Sequence, residues 1–169
     1  MLQSLPWLRV RRRRADFRRE RQGREQSDAD FLAALAPPAP SLTLILRETV
    51  ARMCGVPARA IHADDPTTRL ELLLGSDTLT DFILAIPMGL PESANSCEFF
   101  WDIEAAVRKR TGVHFSFNEP LQRDAMERWL AGEAFGAWAS CLARAMSKQF
   151  DVGSEQGKRE ARDRLKTGR

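Results

Sequence analysis

Tyrosine is missing from the 169 residues, histidine occurs twice and cysteine three times. The cysteines, Cys54, Cys97 and Cys141, are odd in number and lack CxxC spacing, which argues against a disulfide framework or a zinc site. Each falls on or beside a helical pattern, where a free thiol behaves as a small buried hydrophobe. The expected compartment is therefore a reducing cytoplasm. No apolar run approaches the roughly 20 residues that span a bilayer, so no transmembrane segment is expected. The order of a secretory signal is inverted, with MLQSLPWLRV ahead of RRRR. An amphipathic presequence or membrane-touching segment stays open, because Leu2, Leu5, Trp7 and Leu8 adjoin the arginines.

Reaction-dictating motifs are also missing: there is no glycine-rich phosphate loop, no HExxH and no GxSxG. His62-Ala63-Asp64-Asp65 is the only compact cluster of possible metal ligands. It lacks an evident fourth ligand, and Asp65 before Pro66 reads as a helix or turn cap, so no metal is expected. Nothing in the spacing brings Cys54 to His62, or Cys97 to His114, as a nucleophile and base. The reading is a protein that is not an enzyme.

What is present is charge, unevenly placed. Of the residues, 43% are hydrophobic and 29% charged, for a net charge of +3. Residues 1–30 hold nine arginines against five carboxylates, a net +4. Residues 31–150 carry eleven basic and fourteen acidic groups, a net −3, and the tail 151–169 carries +2. An acidic middle thus lies between two basic ends.

Residues 9–26 have few aliphatic core formers and read as a solvated or disordered basic arm, making three parts: an arm 1–27, a helical bundle 28–150 and a charged tail 151–169. Asp28 opens a short apolar turn, Phe31–Leu35, that the Pro37-Pro38-Ala39-Pro40 run ends. Ser41 is the expected cap of a helix from Leu42 to Cys54. Leu42, Ile45, Leu46, Thr49, Val50 and Met53 form its inner face, and Arg47, Glu48 and Ala51 its outer one. Gly55 stops it. A long connection follows, anchored by Ile61, Leu70, Leu72, Leu73 and Leu74. Further helices are predicted over 77–86, 97–111, from Asn118 through Trp129, and over 134–149, with Pro87–Ser96 as a loop. Gly112 ends the 97–111 helix, and Val113, Phe115 and Phe117 alternate as an extended piece. The fold class is all-α, a small helical bundle.

The phrase Leu74-Gly75-Ser76-Asp77-Thr78-Leu79 looks like the LGxDSL signature of acyl carrier proteins. Cys54-Gly55-Val56-Pro57 through Ile61, Asp64 and Asp65 resembles the start of that family's first long loop. Ile103 to Val113, ending Arg-Thr-Gly-Val, is similar to its helix that closes in a Gly-hydrophobic pair. This resemblance, covering residues 42 to about 130, implies a carrier-like bundle. In the family the signature serine carries phosphopantetheine; here that position is Thr78, whose extra methyl crowds the hydroxyl. The implied protein is a divergent carrier that binds partners without a prosthetic group, and no cofactor is expected unless Thr78 is modified. A second departure is the Pro87–Ser96 segment, which splits the signature helix from the glycine-terminated one.

Candidate partner-binding residues are Asp77, Asp81 and Leu84 on the signature helix, and Trp101. Asp77 and Asp81 also suit the N-terminal dipole of their helix, and Trp101 could instead cover the 87–96 loop. The expected function is a non-catalytic interaction module facing another protein. The alternatives are a nucleic-acid- or anionic-membrane-associated protein working through residues 9–24, chiefly Arg11, Arg12, Arg13, Arg14, Arg18 and Arg19, or a genuine carrier modified on Thr78. A purely solubilising terminus is the plain reading of the same arginines.

Overall fold

Regular structure in this computed structural model is helical, over a described chain of residues 6–74, 96–112 and 115–149. Helix α1 spans Pro6–Arg21, α2 Asp28–Leu35 and α3 Pro40–Met53. A single 3-10 turn, Ala58–Ala60, and the short α4, Thr67–Glu71, follow. Helix α5 spans Ser96–Thr111, α6 Glu119–Leu130, and α7 residues 135–149. The all-α expectation holds. The predicted 77–86 helix, with Asp77, Thr78, Asp81 and Leu84, lies outside the described residues, as do most of the 87–96 loop and the tail.

Local chemistry places most of these boundaries. Ser27 caps α2 by accepting the Asp30 amide, and Asn118 caps α6 by accepting the Leu121 amide at 3.0 Å. Helix α3 begins earlier than Ser41 predicts. Pro40 occupies its first turn, where the missing amide is no loss, and Ala39 is the N-cap. Gly55 follows α3 at φ +64°, the left-handed stop that glycine adopts without strain.

The core is a continuous aromatic chain. Phe31 of α2 meets Phe135 of α7, Phe135 meets Trp138, and Trp138 stands T-shaped to Trp129 of α6 at 4.9 Å. Trp129 continues to Phe99 of α5, also at 4.9 Å, and Phe99 to Phe100, Phe117 and Phe115. Trp138 satisfies its indole N–H on the Ala125 carbonyl at 2.9 Å, so the buried ring leaves no polar atom stranded. Helix α5 lies against α3, and α4 against α6.

The long connection is stapled to the start of α7. Pro66 and Ala134 form an antiparallel bridge, with Thr67 N donating to Glu133 O and Phe135 N to Asp65 O. Gly136 allows the close approach: a Cβ there would lie 2.4 Å from Leu35 and 2.9 Å from the Ala63 carbonyl. Ile61, Leu70 and Leu73 are buried as expected, but Leu72 is exposed. It falls in the turn ending α4, a helix the sequence did not suggest.

Two expectations are overturned by packing. Arg47, assigned to the outer face of α3, is fully buried, and Ala51 with it. Residues 6–21, expected as a solvated or disordered arm, form α1 and contribute Phe17 to the same buried cluster as Phe31 and Leu46.

Candidate functional site

Helix α1 has a seated edge and an open face. Val10, Arg14, Phe17 and Arg21 recur at i, i+4, i+7 and i+11, one stripe of a helix. Phe17 is 3% exposed, with the guanidinium carbons of Arg69 and Arg21 lying 4.9 and 5.5 Å from its ring centre. Two cations over one buried ring add cation–π attraction to its burial.

Arg14 is the second anchor. Its Nε donates to the Leu73 carbonyl at 3.0 Å, and one terminal nitrogen to the Met53 carbonyl at 3.3 Å. These carbonyls end α3 and the turn after α4, where helix geometry leaves acceptors without partners and the dipole favours a cation. The guanidinium lies over Gly55, where a Cβ would come within 2.8 Å of it.

Arg21 makes the third anchor. It pairs with the buried Asp65 carboxylate and donates to His62 Nδ1 at 2.9 Å. Arginine can only donate, so His62 Nδ1 is an acceptor and its proton is on Nε2. Asp65 also accepts the His62 amide at 2.7 Å and lies 3.8 Å from Arg69, which in turn pairs with Glu20 of α1. The Arg69 hydrogen bond holds the Glu20 carboxyl below the usual carboxylate range. Of the cluster His62, Asp64 and Asp65, the first and last are therefore organised around arginine, and Asp64 is exposed. No group of three or more metal-binding side chains is found among the described residues.

The opposite face of α1 is open. Arg12 and Arg19 have side chains 79% and 77% exposed, and flank Asp16 at 3.9 and 3.5 Å. Arg11, Arg13 and Arg18 are exposed too. At the C-terminal half of α1 an open cleft of about 400 Å³ is lined by Arg18, Arg19, Arg21, Gln22, Glu25, Pro57 and Ala60. Of the six arginines proposed to meet an anion, five face solvent, and Arg14 is committed to the fold.

Elsewhere, Trp101 is 68% exposed on α5. Cys54 is buried, its thiol pushed up to about 12 by desolvation, with nearby Arg14 opposing. Arg47 is the functional-looking residue that sequence reasoning missed. Its guanidinium donates to the carbonyls of Ile61, Gln26 and Ser27 and to the Asp28 carboxylate at 2.8 Å. It also lies 4.2 Å from the centre of the Phe31 ring. Burial lowers its pKa and Asp28 opposes that shift. Its role is to join α2, α3 and the long connection. One signal was available in advance for α1, the Val10–Arg14–Phe17–Arg21 spacing, whereas Arg47 offered none. Comparison with protein-family models, curated proteins and solved structures finds no match to this chain.

Proposed function

We propose that this chain is a non-catalytic interaction module that engages a polyanionic partner through the outer face of α1. One observation carries the reading: three anchors hold α1 against the fold while Arg12 and Arg19 project with more than three-quarters of their side chains exposed. An arginine row on a held helix binds an anion without first ordering a chain, which removes part of the entropic cost of association. Asp16 between them is exposed, and such surface pairs contribute about 0–1 kcal/mol, so a phosphate displaces it readily. The non-catalytic part is supported by Cys54, buried and held as a thiol, and by His62, whose Nδ1 is engaged by Arg21. Among the described residues no single helix is long and apolar enough to cross a membrane; α2 and α3 pass together only as a pair bent by 120°. Retention on a heparin resin tests the reading. The Arg12→Ala/Arg19→Ala chain should elute at clearly lower salt than the parent, and unchanged elution would remove α1 from it.

A carrier-like origin is the second reading, favoured by the order of elements around α3. Helix α3 is followed by a long braced connection, then by α5 packed on α3 and ending at Gly112 with φ +70°. The resemblance also requires a signature helix between that connection and α5, at residues 77–86, which lie outside the described residues; Asp77, Asp81, Leu84 and Trp101 are the residues that would meet a protein partner. Incubation with a phosphopantetheinyl transferase and coenzyme A, followed by mass measurement, separates the cases. The parent should stay unmodified on Thr78 while Thr78→Ser gains the prosthetic group; no gain by either would count against a carrier docking surface.

A further inference from the structure

Resting on the polyanion reading of α1, we infer that the partner is a nucleic-acid duplex held by its phosphates without regard to base sequence. The cleft beside Arg18, Arg19 and Arg21 receives one of those phosphates. Four observations point to this partner.

The apolar side chains described on α1, those of residues 8–21, are directed to the fold. Phe17 is buried, and Leu8, Val10 and Ala15 are partly buried. A helix that lies in a membrane surface needs an exposed apolar face opposite its charges, and residues 8–21 present none. Binding to single strands relies on exposed aromatic rings for base stacking, and Phe17, the only aromatic among the arginines, is enclosed by Arg21 and Arg69. Over residues 8–21 the outer face thus offers charge without a hydrophobic or stacking component among the described side chains.

The spacing of the charges suits a backbone. Arg11 and Arg18 form one row and Arg12 and Arg19 another, each pair seven residues apart, or about 10 Å along the helix. A duplex supplies one negative charge per roughly 1.7 Å of axis, so each row meets phosphate wherever the helix settles. Contacts of this kind position a protein and specify no sequence.

The cleft extends the same surface inward. Three of its lining residues are arginines, and Arg21 Nε is buried with no hydrogen-bond partner among the described residues. Glu25 is the carboxylate among them, and it keeps the pocket from being uniformly positive. A phosphate seated toward Arg18 and Arg19, away from Glu25, completes the contact.

The test uses the full chain and four labelled ligands: duplexes of two unrelated sequences, oligothymidylate, and phosphatidylserine-containing vesicles. Both duplexes should bind with affinities within about threefold of each other. Engagement of four phosphates gives a log–log salt slope of about −3.6. Each of Arg12→Ala and Arg19→Ala should lower that slope by about 1 and leave the thermal midpoint unchanged, since both side chains are exposed. Stronger binding to oligothymidylate, or a marked preference between the duplexes, overturns the inference. Binding to vesicles and heparin without duplex binding overturns it too, but leaves α1 as an anion-binding face. Binding to none of these, heparin included, overturns both.

Discussion

Arg47 carries more of this structure than any other single polar side chain described. It is a charge with no solvent exposure, and three backbone carbonyls and one carboxylate satisfy its fork. Removing it would leave the Ile61 and Gln26 carbonyls short of a donor, and an unsatisfied buried acceptor costs about 1–3 kcal/mol. Arg47→Ala should therefore destabilise the chain by about 2–4 kcal/mol in urea unfolding, with Asp28 adding little because it is half exposed. A loss below about 0.5 kcal/mol would mean that water replaces the guanidinium. Arg47→Lys should recover only part of the loss, because an ammonium cannot reach all four acceptors in a planar fork.

Cys54 gives a residue-scale prediction in pH. Its thiol shifts from an ordinary value of 9.0 to about 12 on folding, chiefly through desolvation. Between those values the unfolded chain has lost the proton and the folded chain keeps it. Stability falls as pH rises through this window, by up to about 1.4 kcal/mol per pH unit, and the contribution is fully present below it. Cys54→Ala should flatten the alkaline limb of the stability profile, measured by urea midpoints at successive pH values. An identical limb in parent and variant would contradict the burial of this thiol.

At the scale of elements, α1 depends on the turn that closes α3. Gly55 has φ +64°, where a side chain costs about 1–2 kcal/mol, and a Cβ would also displace the Arg14 guanidinium. Gly23 has φ +74° with nothing within 4 Å of its Cβ position, so it isolates the backbone cost alone. Gly55→Ala should be the more destabilising of the two, and should raise amide exchange in residues 10–21. Equal losses would show that Arg14 moves aside freely.

Elements governed by neighbours in sequence were legible in the sequence, and those governed by distant partners were not. Asn118 ahead of Glu119-Pro120, Gly55, Gly112 and the stripes of α5, α6 and α7 each state their own boundary within a few residues. Helix α1 does not, because its seated stripe holds one aromatic and two arginines, and arginine on a helix ordinarily signals solvent. Phe17 becomes core through partners distant in sequence, among them Arg69, which lies 52 positions along the chain. The arginine content of the candidate face was plain from composition. Which arginines face outward was marked only by the Val10–Phe17 spacing, since Arg14 and Arg21 are otherwise the same residue type as Arg12 and Arg19.

At the scale of the whole molecule, the basic N-terminal segment and the acidic middle share one core. Asp65 pairs with Arg21, Glu20 with Arg69, and Phe17 joins the central cluster, so charges of opposite sign cross between the two regions. A chain beginning at Ser27 would lose all three anchors, exposing the hydrophobic bed of Phe17 and leaving Asp65 without its buried partner. It should melt at least about 5 °C below the full chain, given that 1 kcal/mol corresponds to about 2–4 °C at this size. An unchanged melting temperature would mean that α1 contributes nothing to the stability of the rest. Charge-neutralising changes at Arg12 and Arg19 are accordingly the sounder way to test binding.

The Trp129–Trp138 pair has an optical consequence. Two indoles at 4.9 Å and 70° are close enough for their excited states to couple, and no tyrosine contributes to the same spectral region. The coupled component of the near-ultraviolet circular dichroism, superposed on the bands of the other two tryptophans, therefore reports on the contact between α6 and α7. Trp101, standing in solvent, is the described indole most open to soluble quenchers. The interior and one outer surface of the molecule can thus be followed at once, without attaching a dye.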